Sequence, residues 1–430
     1  MLSDELKHHL KQLAGEGNDP LAVAFSGGGD STALLHLLID AEKGQARDVY
    51  AFIVDHKLRR GSGVEAKLAA DRAKEMGARP LILKWIHDNP TTGVQEKARI
   101  ARYGLMGESC RRFGITKLFV GHNRGDQLET VLMRHRKNSG WRGLAGIQTH
   151  TRAPIWPQLR GISVLRPLLN ESREDLRTYN QQKGLDYIDD PMNEHLGHER
   201  IRTRQDLKDD ASLIDTTIDI QQQAQDKLVA ENDRIREFLT AHVDIYGWGG
   251  AWLTPEGLAQ DQEETLDVLR LLIPCISGSS GFPPRDRLHQ HIRSLKAGFT
   301  AGMTLGGARL LSREKGLLIV RDAGMVLGRH QKPPLDPLKL KPNEPAVWDG
   351  RFQLETTQPD ITVRALGACE HRPDKDTKKA LKAIPLSARK TIPVFCVGDE
   401  HVNIPFIDKS PDFQAQSLIS ERLNGFLSPK

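Results

Sequence analysis

LAVAFSGGGDSTALLHLLI, residues 21–39, sets three consecutive glycines between two apolar runs. The first run, 21–25, is short and continuous, the pattern of a buried strand. The second carries Leu34, Leu35, Leu37, Leu38 and Ile39 and reads as a helix over 31–40. Glycine is unfavourable inside either element, so three at the join point to something the turn holds. Backbone N–H groups that converge at a helix N-terminus bind phosphate, and glycines let the backbone come that close. Ser26, Gly27, Gly28, Gly29, Asp30 and Ser31 therefore form a candidate phosphate-binding turn. It holds no lysine, which excludes a Walker A loop.

Further apolar runs at 49–55 (VYAFIVD), 80–85 (PLILKW) and 117–122 (KLFVGH) alternate with helical patterns over 63–76, 94–113 and 126–137. That alternation is the signature of an α/β chain with a doubly wound parallel sheet, in which ligands bind at the carboxyl ends of strands. The glycine turn, VDHKLRRGSG (54–63) and GHNRGD (121–126) all fall at such ends. A long polar helix follows over 212–243, then a hairpin pattern over 304–322 and a Pro- and Lys-rich stretch over 329–345. The expected domains are a catalytic domain over 1–208, a mostly helical middle domain over 209–328 and a small α+β domain over 329–430.

Across 430 residues, 38% hydrophobic and 27% charged composition describes a globular protein. No apolar run approaches the roughly 20 residues of a membrane span, and residues 1–20 show no signal-peptide pattern. Cys110, Cys275, Cys369 and Cys396 are far apart, with no CxxC pair, so we expect idle thiols in a reducing cytoplasm and no zinc or iron–sulfur site. The net charge of +5 is a weak pointer to an anionic partner; its distribution says more. Residues 134–142 hold four Lys or Arg and no acid, and residues 364–390 hold eight against three acids. Either run alone reads as a solvated face.

Chemistry-bearing pairs accompany the strand ends. Arg99 and Arg102, three apart on one helix, call for an anion between them or for Glu96 and Glu108 as partners. Asp126 and Glu129 share a helix face, where a carboxylate can hold a cation, take a proton from an amine, or simply favour the helix N-terminus.

SGGGDS after a buried strand resembles the SGGxDS signature of the PP-loop ATP pyrophosphatase superfamily, whose fold is that of adenine nucleotide alpha-hydrolases. Within it, VDHKLRRGSGVEA (54–66), VQEKARIARYGLM (94–106), GHNRGDQLETVLMR (121–134), NSGWRGLAGI (138–147), LRPLLNESREDLRTY (165–179) and DYIDDPMNEHLGHERIRTR (186–204) stand in the order of tRNA(Ile)-lysidine synthetases. TLGGARLLSREKGLLIVRD (304–322) and VWDGRFQL (347–354) resemble the distal parts of that family, so the likeness covers nearly the whole chain. Five positions depart from the family's pattern: Lys57 stands for a usual Gly, Gly125 for an Asp, Lys137 and Asn138 for Arg and Gly, and Ile201 for an Asn.

The resemblance implies a cytoplasmic ligase, compatible with a homodimer, that uses ATP and Mg²⁺. It would join free L-lysine to carbon-2 of the wobble cytidine in a CAU-anticodon tRNA(Ile), through an adenylated cytidine. It places ATP on Ser26, Gly27, Gly28, Gly29, Asp30, Ser31, Asp55, His56 and His122. Catalysis falls to Asp30, Asp126, Glu129 and Arg99, with Mg²⁺ on Asp30 and Asp126. Arg102, Arg200 and Arg204 would meet lysine, AMP or phosphate, and Arg134, Arg142, Lys375, Lys378, Lys379 and Lys382 would meet tRNA. Competing readings are a PP-loop base thiolase, which the absence of paired cysteines disfavours; an amidating synthetase, for which no glutaminase region is evident; and a tRNA-binding relative with a decayed ATP site, against which the intact SGGGDS speaks.

Overall fold

A computed structural model describes residues 4–59, 61–88, 90–188, 198–297, 302–329, 333–369, 374–398 and 400–427. Parts of the motif at 186–204, of the stretch at 329–345 and of the basic run at 364–390 lie outside the described residues. The chain divides into two compact units, one over residues 1–231 and the other Asn232–Leu427.

In the first unit the order is α1 (Asp4–Ala14), β1 (Leu21–Ala24), α2 (Gly29–Ala41), β2 (Val49–Asp55), α3 (Ser62–Glu75), β3 (Arg79–Lys84), α4 (Val94–Arg112), β4 (Lys117–Val120) and α5 (Arg124–Arg136). Then follow α6 (Trp141–Leu144), β5 (His150–Arg152), β6 (Ser163–Leu165), α7 (Arg173–Gln182), α8 (His198–Asp209) and α9 (Ala211–His242), the last running past the unit boundary. The sheet order is β3-β2-β1-β4-β6-β5. All neighbours are parallel except the short edge pair β5–β6.

Side-chain alternation along the strands builds two cores. Leu21, Val23, Val49, Ala51 and Ile53 pack with α1, α2, α3 and α7 on one face. Ala22, Phe52, Leu118 and Val120 pack with Tyr103, Met106 and Cys110 of α4 on the other. Burial on both faces is why these strands read as unbroken apolar runs. Successive strands β1 to β3 step one way across the sheet and β4 lies on the other side of β1, so strand order reverses at the β1–β4 boundary. A crevice opens at the carboxyl ends there.

The second unit is built on antiparallel sheets. β7 (Val243–Tyr246), β8 (Gly250–Leu253), β9 (Met303–Leu305), β10 (Ala308–Arg313) and β11 (Gly316–Arg321) form a five-stranded sheet in the order β7-β8-β11-β10-β9. The expected hairpin is β10–β11. A helix over Gln262–Ser277 supplies much of this core through Leu266, Leu269, Leu272 and Ile273. Beyond it, β12 (Leu338–Lys339), β13 (Ala346–Trp348), β14 (Phe352–Thr356), β15 (Ile361–Ala365), β16 (Pro393–Val397), β17 (Glu400–Asn403) and β18 (Phe413–Ser417) form a four-stranded sheet, β12-β15-β16-β17, and a three-stranded one, β13-β14-β18. No helix among the described residues is long and apolar enough to cross a membrane.

Candidate active site

The chain leaves β1 at Ala24 and enters α2 at Gly29, two residues earlier than the apolar pattern predicts. Gly27 has φ of +79°, and a Cβ there would lie 3.1 Å from Ile188 and 3.2 Å from Ala69, so the fold itself demands glycine. Gly28 and Gly29 are different. Gly28 has φ of −76°, Gly29 is helical, and a Cβ on either would meet nothing closer than 3.4 Å, an ordinary contact. The protein's own packing would accept side chains at both, and their bareness leaves the N-terminus of α2 open to a ligand. The turn is pre-formed: Ser31 Oγ donates to the Gly28 carbonyl at 2.9 Å, and the Ser26 N–H donates to Ser31 Oγ at 3.3 Å.

Beside the turn lies a cavity of about 420 Å³, walled by Ser26, Gly28, Phe52, Asp55, His56 and Arg102. Buried Asp55 closes the turn after β2 by accepting from the Lys57 N–H at 3.0 Å and from the Ser62 hydroxyl at 2.6 Å. Lys57 sits at φ of +51°, which explains why glycine suits that position. His56 Nδ1 and Arg102 Nε are buried without a hydrogen-bond partner. Burial, and then the charge of Arg102, hold the His56 pKa below its ordinary value, so the ring is a neutral donor or acceptor.

Three carboxylates gather at the β1–β4 boundary. Gly121, just past β4, brings the two chains close: a Cβ there would lie 3.2 Å from the Asp30 carbonyl oxygen. Fully buried Asn123 caps α5 in a capping box, with the Asp126 N–H donating to Asn123 Oδ1 at 3.1 Å and the Asn123 N–H to Asp126 Oδ2 at 3.2 Å. Its amide Nδ2 also donates to Asp30 Oδ2 at 2.9 Å. Burial raises the Asp30 pKa; Arg173, whose Nε is 3.8 Å from Asp30 Oδ2, opposes the rise, and Asp126 adds to it. Glu129 has both oxygens engaged, Oε2 by Arg200 Nε at 3.0 Å and Oε1 by Arg204 Nε at 2.7 Å. The Glu129 hydrogen bond raises the Arg204 pKa further.

Positive charge surrounds the carboxylates. Arg99 and Arg102 have no carboxylate within 4 Å among the described residues; Glu96 and Glu108 do not pair with them, and both guanidiniums lie 5.1 Å from the Tyr103 ring centre. His122 is pushed down to about 3 by burial and then by the charges of Arg166, Arg102, Arg200 and Arg99, and its Nδ1 is buried without a partner. Four guanidiniums thus bear on one neutral imidazole, and of these Arg200 is also paired with Glu129.

A family model described as a PP-loop domain matches residues 2–211. The chain is 30% identical over 395 residues to a tRNA(Ile)-lysidine synthase of Caulobacter vibrioides, covering 92% of this chain and 88% of that one. It is 32% identical over 377 residues to one of Ruegeria pomeroyi, covering 85% and 84%. The chain belongs to the tRNA(Ile)-lysidine synthase family.

Of the residues that the synthase motifs single out, Ser26, Gly28, Asp55, His56 and Arg102 share the cavity wall. Asp30, Asp126, Glu129, Arg200 and Arg204 form one connected network at the neighbouring strand end. Arg99 belongs to its positive surround, and the neutral ring of His122 lies within that surround. The basic residues differ among themselves. Arg134 Nη1 donates to the Gly143 carbonyl at 2.8 Å and so holds the segment that carries Gly140, Gly143 and Gly146. Arg142 pairs with Glu231 at 2.8 Å and stacks on Trp141. Lys375, Lys378, Lys379 and Lys382 belong to the second unit and are exposed, with no carboxylate within 4 Å among the described residues. Sequence reasoning missed Asn123, Gly121, Arg166 and Arg173. Only Asn123 left a signal, as the first residue of an N-x-x-D capping box before α5.

Proposed function

We propose that this enzyme of the tRNA(Ile)-lysidine synthase family uses ATP to join free L-lysine to carbon-2 of the wobble cytidine in CAU-anticodon tRNA(Ile). The observation that carries the reading is the pair of glycines, Gly28 and Gly29, that the fold does not require, set against a cavity with orphaned polar atoms on His56 and Arg102. Adenosine fits the cavity beside His56 and Arg102, and the bare turn with Ser26 and Ser31 fits the β and γ phosphates. Cytidine oxygen-2 attacks the α-phosphorus, forming the O–P bond as pyrophosphate leaves. The neutral ε-amine of lysine then forms the C–N bond at carbon-2, and AMP leaves with the oxygen.

Arg99 and Arg102, short of counter-charge, stabilise negative charge that grows on the α-phosphoryl oxygens. Glu129 cannot serve as a free base, because two guanidiniums occupy its oxygens; it positions Arg200 and Arg204. Asp30 and Asp126 are left to hold Mg²⁺ and to receive the proton of the lysine ammonium, without which the amine is not a nucleophile. Asp30 and Asp126 would be the two carboxylates that hold Mg²⁺, a hard cation that takes oxygen ligands. Bound there, Mg²⁺ would neutralise the pyrophosphate leaving group. The exposed lysines over 375–382 fit the phosphates of the tRNA body, while Arg134 and Arg142 support the glycine-bearing segment over 138–147 near the target base.

Pyrophosphate release from Mg·ATP, with CAU-anticodon tRNA(Ile) and lysine each present or withheld, tests the proposal. Release that requires the tRNA, with labelled lysine entering the RNA, is expected. Release without either, or none with both, would overturn it.

A further inference from the structure

We infer that Asn123, in space left by Gly125, is the positioning residue that fixes the Asp30–Asp126 pair, and that the two positions work as a unit. The inference rests on the function proposed above and concerns a residue that the sequence motifs leave without a role. Asn123 is fully buried, and a buried carboxamide must place both its donor and its acceptor. Oδ1 accepts from the Asp126 N–H, and Nδ2 donates to Asp30 Oδ2 at 2.9 Å. One planar group thus spans from the first turn of α2 to the first turn of α5, two helices that follow different strands. The backbone N–H of the same residue donates to Asp126 Oδ2, which sets the direction of that carboxylate as well.

Gly125 belongs to the same device. Its φ is outside the left-handed region and it lies within α5, so its backbone does not call for glycine. A Cβ there would stand 3.1 Å from Asn123 Oδ1, closer than side chains settle without displacement. A side chain at 125 therefore pushes the carboxamide off the line that joins the two aspartates. A capping role alone would not need the second bond: Ser at the same position caps a helix as well as Asn does, but its hydroxyl is too short to bridge to Asp30.

The experiment uses Asn123→Ser, Asn123→Ala and Gly125→Ala in the full-length enzyme, with three readouts. These are thermal unfolding, calorimetric binding of Mg·ATP without tRNA, and the split between kcat and the KM for ATP. Asn123→Ser, which keeps the cap and loses the bond to Asp30, should lose less stability than Asn123→Ala, yet bind Mg·ATP about tenfold more weakly or worse and lose kcat, as loss of a residue that orients a ligating carboxylate does. Gly125→Ala, a replacement that favours helix, should hold or raise the melting temperature while it weakens Mg·ATP binding several-fold. Asn123→Ala should lose stability and binding together. If Asn123→Ser binds and turns over ATP like the wild type while only Asn123→Ala suffers, Asn123 is a helix cap and the inference fails. If Gly125→Ala leaves binding untouched, the coupling of the two positions fails. Should the wild type bind Mg·ATP but make no lysidine, the function proposed above fails, and the binding arm still decides the role of Asn123.

Discussion

Glu129 Oε1 lies 2.7 Å from Arg204 Nε, across 75 residues of chain, and Oε2 lies 3.0 Å from Arg200 Nε. The carboxylate is almost fully buried, whereas the two arginines remain about one-third exposed. One acid on α5 therefore fixes two guanidiniums of α8. Glu129→Gln removes the charge and one of the two acceptor oxygens, so that among the described residues Arg200 keeps only the Asp126 carboxylate, 3.9 Å away, as an ionic partner and Arg204 keeps none. It should cost about 1–3 kcal/mol of stability, the range for hydrogen bonds to charged groups, and lower kcat more than the KM for tRNA. Denaturant unfolding and steady-state kinetics give the two numbers. A variant with reduced stability and full kcat would remove Glu129 from the active constellation.

The three glycines of the turn should separate by mutation. Gly28→Ala meets Ser26 Oγ at 3.4 Å and the Ile188 carbonyl oxygen at 3.9 Å, both ordinary contacts, and keeps an ordinary φ, so its melting temperature should match the wild type while Mg·ATP binding falls at least about tenfold. Gly27→Ala combines φ of +79° with crowding from Ile188 and should lose about 1–3 kcal/mol. Thermal melts alongside calorimetry distinguish the two. Equal loss of stability in both would mean that the bare surface at Gly28 is a packing feature rather than a ligand site.

His122 links the site to pH. Its folded pKa, about 3, lies below the ordinary 6.5, so between those values the unfolded chain carries a proton that the folded chain lacks. The associated stability is fully present above pH 6.5 and declines as pH falls toward 3, by about 1.4 kcal/mol per pH unit where the difference is one proton. His122→Gln should flatten the acid side of the stability curve by that one proton, read from denaturant melts at pH 4 to 7. An unchanged slope would show that His122 takes up a proton in the folded state.

Binding of tRNA should respond to the exposed lysines of the second unit. Replacing Lys375, Lys378, Lys379 and Lys382 by Ala should weaken tRNA binding, and the slope of log affinity against log salt should shrink by roughly 0.7–0.9 for every phosphate no longer neutralised by a lysine. The affinity for Mg·ATP should stay the same. Filter binding over a salt series reads the slope; an unaltered slope places the RNA elsewhere.

The sequence was most legible where one local cause acts. β1 to β4 could be read because burial on both faces makes continuous apolar runs, and the predicted strand at 117–122 errs only by including Gly121 and His122, which turn away at the sheet's end. Helix starts were less legible. α2 begins at Gly29 and α5 at Arg124, each two residues before the prediction, because the caps are a glycine and an asparagine outside the apolar pattern. The three-residue strands β5 and β6, and the strands β7 and β8 of the five-stranded sheet, are too short to show a period. In the site, single residues were visible through their motifs, whereas their pairings were not. Nothing local announces that Asn123 reaches Asp30, or that Arg173 stands beside it; the first contact exists only once the strand order brings β1 and β4 together, the second only once α7 packs on α2.

The guanidiniums of Arg99, Arg102 and Arg166 that bear on His122, none of them paired with a carboxylate among the described residues as Arg200 is, have a thermodynamic corollary. Like charges held together in a folded wall repel, and an unfolded chain relieves them. A polyphosphate that settles among them removes that tension, so it adds to the folding free energy as well as to catalysis. At a hundredfold excess over its dissociation constant such a ligand contributes about 2.7 kcal/mol. If ATP binds there, as proposed, the nucleotide supply would act on the enzyme twice, as fuel for the reaction and as a chaperone of its fold: molecules made while ATP is scarce would be softer, and more open to proteolysis, than those made in plenty.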